Sequence, residues 1–167
     1  MPATEDELFT LLDDLGIETT THRHPALFTV EQSRELRGEI PGGHCKSLFL
    51  KDKINNFILA VMSEDRRLDM KALFKSGGLG VGRLSFASSD RMVDMLGINP
   101  GSVTPFSLIN VTHKELMVVL DKAMLEHDQL NYHPLHNEAT TTIANNDLVK
   151  FIEHCGFKPI IIDFDQL

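Results

Sequence analysis

Cysteine and long apolar runs are both scarce in this sequence. Its 167 residues include only two cysteines, Cys45 and Cys155, which stand far apart without Cys-x-x-Cys spacing. This argues against a disulfide framework and favours reduced thiols, as in cytoplasmic proteins. No stretch approaches the roughly 20 apolar residues that span a bilayer, and residues 1–7 are acidic where a secretory signal is basic. We therefore expect a soluble cytoplasmic protein without a membrane partner.

Positive charge is also scarce, because 16 basic residues stand against 24 acidic ones and give a net charge of −8. Nonspecific coating of nucleic acid depends on many phosphate contacts, so we expect no DNA partner. The segment from His44 to Arg91 is the exception, with nine basic and five acidic residues. Such a segment can hold the phosphate-rich end of one ligand. The alternative is that these charged residues simply lie on solvent-exposed faces of helices and strands and bind no ligand.

Capping patterns and apolar periodicity predict the secondary structure. A capping box at Thr4–Glu7, followed by leucines at helical spacing, predicts a helix that ends at Gly16. A second capping box at Thr29 and Gln32 predicts a short helix through Leu36. Other helices are predicted over 68–74, 88–96 and 146–155. Strands are predicted at 19–24, 45–50, 57–62, 84–86, 108–111, 117–120, 129–132 and 160–164.

The order of these elements indicates the class of fold. Many short strands interrupted by helices, without regular βαβ alternation, favour an α+β fold of mixed α/β content around a mixed or antiparallel sheet. A chain of 167 residues is large enough to bury a core of its own without covalent staples. We therefore expect residues 1–167 to form one domain.

The Pro100-Gly101 pair predicts a type II turn, because proline fixes one central φ and glycine permits a positive φ at the next residue. Such a turn can aim backbone N–H groups at one point and stabilise the oxyanion of ester hydrolysis. An ordinary helix-to-strand connection explains the same pair. The sequence has no Gly-x-Ser-x-Gly elbow, Walker A loop or dinucleotide fingerprint.

Lys46 is predicted to open an apolar strand, where its ammonium group can hold a phosphate or polarise a carbonyl. A strand-start lysine that extends into water is the alternative. The neighbouring Cys45 is not expected to act as a nucleophile. Adjacent strand residues point to opposite faces, so we expect Cys45 and Lys46 not to share a site.

Five histidines raise the possibility of a metal site: His22, His24, His127, His133 and His136. Their spacing matches no structural zinc pattern, and Pro134 argues against a helix that presents both His133 and His136. We therefore expect no metal and no other cofactor, with metal binding kept as an alternative. If His133 binds no metal, it can instead line a pocket, donate a hydrogen bond to a ligand, or serve only to stabilise the structure.

Six ordered segments carry a family resemblance: Thr21–Pro25, Lys46–Asp52, Asp65–Asp69, Leu84–Ser88, Pro100–Phe106 and Tyr132–Asn137. Together they resemble the YbaK/ProX superfamily, and within it the free-standing ProX-type editing proteins. The resemblance implies a barrel-like mixed sheet with flanking helices. It also implies hydrolysis, in trans, of aminoacyl-tRNA that prolyl-tRNA synthetase has formed in error.

The resemblance also implies roles for individual residues. Lys46 opens the family's Lys-x-Leu-Phe-Leu motif and is implied to be essential. The Gly-x-x-x-Pro loop at 101–105 is implied to lie against the ester and the 3′-terminal adenosine, and His133 is implied to line the amino-acid pocket. Ser47 stands where the family usually has asparagine, which changes the size and hydrogen bonding of that pocket. The implied catalytic residues are Lys46 and Gly101, and the implied substrate-binding residues are Ser47, Ser102, Thr104, Pro105 and His133.

The resulting hypothesis is deacylation of mischarged alanyl-tRNA(Pro), with the tRNA acceptor end as ligand and prolyl-tRNA synthetase as an associated partner. Lys46 would fix the ester end and the terminal phosphate, while backbone donors near Gly101 stabilise the oxyanion. A water held by substrate hydroxyls would attack the carbonyl. Two alternatives stay open: deacylation of cysteinyl-tRNA(Pro), and a noncatalytic module that binds aminoacyl-tRNA or the synthetase.

Overall fold

The computed structural model describes residues 1–26, 31, 35 and 40–167. The predicted capping box at Thr29 and Gln32, and the helix through Leu36, lie outside these residues. The α-helices whose bounds lie within the described residues are α1 (Glu5–Asp14), α2 (Met70–Ser76), α3 (Ser89–Arg91) and α4 (Asn145–His154). The strands are β1 (Thr19–Arg23), β2 (Gly43–Lys51), β3 (Phe57–Ser63), β4 (Ser85–Phe86), β5 (Met117–Asp121), β6 (Gln129–Tyr132), β7 (Ala139–Ala144) and β8 (Ile160–Ile162).

Local sequence explains where several helices begin and end. The Thr4 side chain accepts from the Glu7 N–H, and the Glu7 carboxylate accepts from the Thr4 N–H, so the predicted capping box is confirmed. The Ser88 side chain caps α3 by accepting from the Arg91 N–H, and the helix continues as a π-helical segment, Met92–Leu96. Gly97 ends that segment with a φ of 66°, a conformation in which glycine is unstrained.

The described strands form one mixed sheet in the order β1-β7-β6-β2-β3-β5-β8, with β4 paired to β2. β2 and β3 are antiparallel, and Asn55 in the turn between them has a φ of 61°. β6 pairs with the first residues of β2, whereas β4 pairs with its last residues. The sheet therefore forks at β2, and the expected mixed α/β architecture is confirmed.

Apolar side chains cover both faces of the sheet. On one face α1 and α4 pack through Leu8, Leu12, Phe151 and neighbouring residues. On the other face a smaller cluster includes Leu73 of α2. The burial of these apolar side chains away from water is the main driving force for folding. No helix among the described residues combines the length and apolar character needed to cross a bilayer.

The predicted strand at 108–111 is wrong, because this segment belongs to a 3₁₀ helix, Pro105–Asn110. Pro105 occupies its first turn, where the missing N–H costs nothing, and Thr104 caps it by accepting from the Phe106 N–H. A short apolar run does not distinguish a buried helical turn from a strand.

Two further differences concern the sheet. β7 (Ala139–Ala144) was not predicted, although it lies between β1 and β6 and its consecutive threonines, Thr140–Thr142, are buried. The predicted last strand, 160–164, ends at Ile162, because Phe164 starts a 3₁₀ turn capped by the Asp163 side chain.

Candidate functional site

The fork at β2 leaves part of one strand edge open. Gly43 and His44 pair with β6 and Leu50 and Lys51 pair with β4, but residues 45–48 have no strand partner on this edge within the described chain. The Phe49 carbonyl accepts from the Ala87 N–H on the same edge. Because alternate residues of a strand direct their backbone groups to the same side, the main chain at 45 and 47 also faces this edge.

A cavity of about 340 Å³ lies along this open edge. Its walls come from β2, the end of β3, the segment 86–92, the loop after Pro100 and the start of the β6–β7 connection. The lining residues are Cys45, Lys46, Ser47, Leu48, Phe49, Glu64, Phe86, Met92, Gly101, Val103 and His133. The cavity thus brings together four of the residues expected at the site, which are far apart in the sequence: Lys46, Ser47, Gly101 and His133.

Lys46 is the fourth residue of β2 and not the first, because the strand already begins at Gly43. Its backbone is held by β3, where it stands opposite Met62. The side chain is half-buried and forms no hydrogen bond or ion pair with the described residues. A half-buried ammonium group beside a cavity is suited to an anionic ligand or a developing negative charge.

Ser47 is buried, and its Oγ atom makes no hydrogen bond within the described part of the chain. A buried hydroxyl without a partner is costly unless a ligand or water satisfies it. Since Ser47 also lines the cavity, a polar group of a bound ligand can complete its hydrogen bonding.

Gly101 has a φ of 91°, and the Ser102 N–H donates to the Asn99 carbonyl, so the predicted turn is confirmed. A Cβ atom at Gly101 would meet no heavy atom within 4 Å. The requirement for glycine therefore comes from the backbone conformation and not from lack of space. The turn places Gly101 and Val103 on the cavity wall.

The other expected residues of this loop, Ser102, Thr104 and Pro105, do not line the cavity. All three are buried, and the Thr104 carbonyl accepts from the Ser107 hydroxyl at 2.6 Å. In this structure they anchor the loop to the core and so fix the position of the Gly101 turn. Their expected contact with substrate stays a prediction.

His133 follows β6, and its Nδ1 atom lies 3.2 Å from the Ala139 carbonyl oxygen. A carbonyl oxygen only accepts, so Nδ1 carries the proton and Nε2 is the acceptor of the neutral ring. Burial lowers the pKa of His133 below its usual value. The ring is therefore neutral at pH 7.

The expectation that Cys45 and Lys46 lie at separate sites is wrong, because both line the same cavity. The cavity follows the edge of β2, where side chains from both faces of the strand reach it. Burial raises the pKa of Cys45 to about 12, so the thiol stays protonated at neutral pH. This chemistry agrees with the expectation that Cys45 is not a nucleophile.

Among the cavity residues that were not predicted as site residues, Glu64 and Phe86 offer a charged and an exposed aromatic side chain. Glu64 follows the last residue of β3, and its N–H donates to the His44 carbonyl at 2.8 Å. Phe86 lies in β4 and is 59% exposed. The sequence contains a signal for each of them. Glu64 is a carboxylate close behind an apolar strand, and Phe86 is an aromatic residue among serines.

A second groove contains part of the basic segment. Its lining includes Lys71, Lys75 and Arg83, which are exposed, together with Phe74. Arg83 lies three residues before Phe86, so this groove is joined to the cavity by a short stretch of chain that includes β4. Three basic residues thus line a groove that a short stretch of chain connects to the cavity, and such a surface can hold phosphate groups.

Several of the histidines considered as metal ligands contact separate groups. His136 Nε2 lies 2.9 Å from the Glu5 carboxylate, while the His127 ring packs against Gly43. His24 bonds the Thr140 hydroxyl. Among the described residues, no three histidine, cysteine or acidic side chains are grouped as ligands of one metal ion.

The fold matches a solved structure described as a candidate trans-editing enzyme for prolyl-tRNA synthetase. The TM-score is 0.70, with 18% sequence identity and 98% of both chains covered. The chain therefore has the fold of the YbaK/ProX-type editing proteins.

The family assignment follows from the sequence comparisons. The model of the aminoacyl-tRNA editing domain matches residues 24–151, and the chain belongs to this family of aminoacyl-tRNA deacylases. The chain is 36% identical over 162 residues to prolyl-tRNA synthetase associated domain-containing protein 1 of Mus musculus, covering 95% of each. It is 34% identical over 152 residues to the prolyl-tRNA editing protein ProX of Acetoanaerobium sticklandii, covering 89% of this chain and 92% of the relative. The expected family and enzyme class are confirmed.

Proposed function

We propose that this protein hydrolyses alanyl-tRNA(Pro) in trans and so protects translation from errors of prolyl-tRNA synthetase. The observation that carries the proposal is the cavity on the open edge of β2, which joins Lys46, Ser47, Gly101 and His133. Family membership supplies the class of reaction. The names of the relatives, which refer to prolyl-tRNA editing and to the synthetase, support tRNA(Pro) as the ligand.

The reaction requires no redox step. A water oxygen adds to the ester carbonyl carbon, and the carbonyl oxygen becomes an oxyanion. The C–O bond to the terminal ribose then breaks, the ribose oxygen takes a proton, and free alanine and uncharged tRNA leave. The backbone turn at Gly101 stabilises the oxyanion, and Lys46 binds the ester end and the terminal phosphate. Nε2 of His133 accepts a hydrogen bond from the attacking water, which the substrate hydroxyls also position.

The acceptor end of the tRNA extends out of the cavity. Phe86 lies at its wall with an exposed ring, and an exposed ring of this kind stacks a nucleobase such as the terminal adenine. The groove with Lys71, Lys75 and Arg83 holds phosphates of the acceptor strand. A local basic surface on a chain with a net charge of −8 favours this limited contact over nonspecific binding.

Amino-acid selection depends on the size of the pocket. Ser47 and His133 line it together, and proline's ring is larger than alanine's methyl group. A rigid wall excludes a larger group by steric clash. Ser102, Thr104 and Pro105 complete the pocket by fixing the loop that carries Gly101.

The proposal includes the setting of the reaction. Residues 1–167 act as one editing domain in the cytoplasm, without a metal or other cofactor. The protein receives mischarged tRNA(Pro) after release from prolyl-tRNA synthetase, or while associated with it.

The test is single-turnover deacylation of tRNA(Pro) charged separately with alanine, cysteine, serine or proline. The proposal predicts that the alanyl ester is hydrolysed fastest and that the prolyl ester is spared. Equal rates with alanine and proline would contradict it. Preference for the cysteinyl ester would favour cysteine editing, and absence of hydrolysis with retained binding would favour a noncatalytic module.

A further inference from the structure

The carboxylate of Glu5 joins three parts of the chain that are distant in sequence. Glu5 is the first residue of α1, and both of its oxygens accept from the Arg23 guanidinium at the end of β1, with 2.9 Å between Nη2 and Oε2. Its Oε1 atom also lies 2.9 Å from Nε2 of His136, in the loop between β6 and β7. The family model matches residues 24–151, so this carboxylate lies outside the matched segment.

The tautomer of His136 follows from its two partners. The Glu138 N–H donates to Nδ1 at 3.1 Å, so the proton of the neutral ring is on Nε2. Nε2 therefore donates to the Glu5 carboxylate, and a hydrogen bond to a charged acceptor is stronger than one between neutral groups. The Glu5 side chain is only 18% exposed, which limits competition from water. Both ring nitrogens of His136 thus hold the loop in place.

The loop that His136 anchors also carries His133, which lines the cavity. Only Pro134 and Leu135 separate the two histidines, and Leu135 has a φ of 74°. A leucine is strained in this region because its Cβ atom approaches a carbonyl oxygen. Such a conformation persists only when surrounding contacts hold it, and the hydrogen bond from His136 to Glu5 is one such contact.

The second partner of Glu5 also stands close to the group that orients His133. Arg23 lies opposite Ala139 in the antiparallel pairing of β1 with β7. The Ala139 carbonyl accepts the hydrogen bond from Nδ1 of His133. Glu5 is therefore connected to the His133 ring by two routes, one through the loop and one through the start of β7.

We infer that Glu5 is a positioning residue for the cavity, which fixes the orientation of His133 by holding the loop through His136. This inference rests on the proposed function, in which Nε2 of His133 accepts a hydrogen bond from the attacking water. The described cavity lining does not include Glu5, so its effect reaches the reaction through the loop.

The experiment measures single-turnover deacylation of alanyl-tRNA(Pro) by Glu5→Ala over a range of protein concentrations. We expect the saturating rate to fall about fivefold to twentyfold, because a small displacement of a group at the reacting centre is costly. The half-saturating concentration should change less than about twofold, since the groove that holds the tRNA is unaltered. Glu5→Gln, whose amide oxygen can still accept from His136, should retain more of the rate. Asp6→Asn is the matched control, because it removes one negative charge from the next, exposed residue of α1 and should leave both values unchanged.

Two further variants separate positioning from general stabilisation. In a His133→Asn background, Glu5→Ala should lower the rate by less than about a further twofold, because the atom that Glu5 positions is already absent. His136→Phe breaks the same contact from the loop and leaves the ion pair of Glu5 with Arg23 in place. It should reproduce the loss of rate, and it tests the inference even if Glu5→Ala does not fold.

The nitrogen chemical shifts of the His133 ring give a measurement that needs no substrate. The wild-type protein should show the single tautomer with Nδ1 protonated, and Glu5→Ala or His136→Phe should show a mixture of tautomers. A single tautomer in the folded variants, unchanged rates, or an undiminished loss in the His133→Asn background would overturn the inference. If the wild-type protein does not hydrolyse alanyl-tRNA(Pro), the proposed function fails, and the tautomer comparison still supports or overturns the positioning role.

Discussion

The imidazole of His133 is oriented by the main chain of Ala139, with 3.2 Å between Nδ1 and the carbonyl oxygen. This contact joins the two ends of the loop between β6 and β7 and fixes the neutral tautomer with Nε2 unprotonated. Because burial lowers the pKa of His133, protonation is disfavoured in the folded protein. The structure therefore supplies a neutral hydrogen-bond acceptor at the cavity at physiological pH.

A pH dependence follows from this arrangement. The folded pKa of His133 lies below its ordinary value of 6.5, so the neutral ring is the form present at pH 7. As the pH falls through the folded pKa, the ring gains a proton, loses its acceptor and becomes a buried cation. We expect the single-turnover rate to fall with it, and the fold to lose stability as the pH falls below 6.5.

The variant His133→Asn isolates the role of Nε2. The asparagine amide can still donate to the Ala139 carbonyl, but no atom replaces Nε2. We expect at least a tenfold loss of rate, a nearly unchanged melting temperature and a flatter rate profile between pH 7.5 and pH 5. An unaltered profile would remove His133 from the proton-dependent step.

Ser47→Asn tests the residue that differs from the usual asparagine of the family. Ser47 is buried on the cavity wall, and asparagine adds volume and a donor there. We expect the alanyl ester to be favoured more strongly over the seryl and cysteinyl esters, because the added volume penalises the larger side chains. The measurement is the ratio of the alanyl rate to each of the other two rates. Unchanged ratios would place the specificity elsewhere.

We also predict that deacylation does not depend on a metal ion. His133 and His136 bond to separate groups, Ala139 and Glu5, and ester hydrolysis can proceed with positioned water and backbone donors. Dialysis against a chelator should leave the deacylation rate unchanged. Loss of activity that zinc restores would contradict this prediction.

The buried carboxylate of Asp52 makes a prediction about stability. It accepts hydrogen bonds from the N–H groups of Ile54, Asn56 and Gly82 and from the Asn56 side chain. These contacts hold together the β2–β3 turn and the segment before β4. Asp52→Ala should lower the free energy of unfolding by about 2–4 kcal/mol, because the donors lose their acceptor. Lys53→Ala, at an exposed position of the same turn, should change it by less than about 0.5 kcal/mol.

The effect of Asp52 also depends on pH. Burial alone would raise its pKa, but the hydrogen bonds from Asn56, Gly82 and Ile54 lower the pKa to about 2. The contribution of Asp52 is therefore complete above its ordinary pKa of 3.8 and is lost as the pH falls through about 2. Chemical denaturation of the wild type and Asp52→Ala at pH 7, 4 and 2.5 should show the difference shrinking in acid.

Local patterns were sufficient to predict much of the fold. The capping box at Thr4 and the Pro100-Gly101 turn depend on residues close in sequence, and both are confirmed. The strand predicted at 108–111 failed, because the cap at Thr104 and the burial of the segment favour a 3₁₀ helix. β7 was missed because its buried threonines show no alternation of polar and apolar residues.

The site was less accessible to sequence reasoning, because it depends on tertiary pairing. The open edge at 45–48 exists because β6 and β4 pair with opposite ends of β2, and no local pattern encodes that gap. For this reason the sequence led us to expect Cys45 and Lys46 at separate sites, and Glu64 was not predicted to line the cavity. Lys46 and Gly101 were identified through ordered family motifs, and the fold then explains how they meet.

Lys46→Ala tests most directly whether the cavity at the β2 edge is the deacylation site. We expect single-turnover hydrolysis of alanyl-tRNA(Pro) to slow by about a hundredfold or more, because a positioned charge stabilises the transition state by a few kcal/mol. The melting temperature should change little, and Lys46→Arg should restore little activity, since a planar guanidinium differs in shape from an ammonium. Lys51→Ala is the control, because Lys51 lies on the same strand outside the cavity lining. A folded Lys46→Ala protein with near-normal turnover would contradict the account.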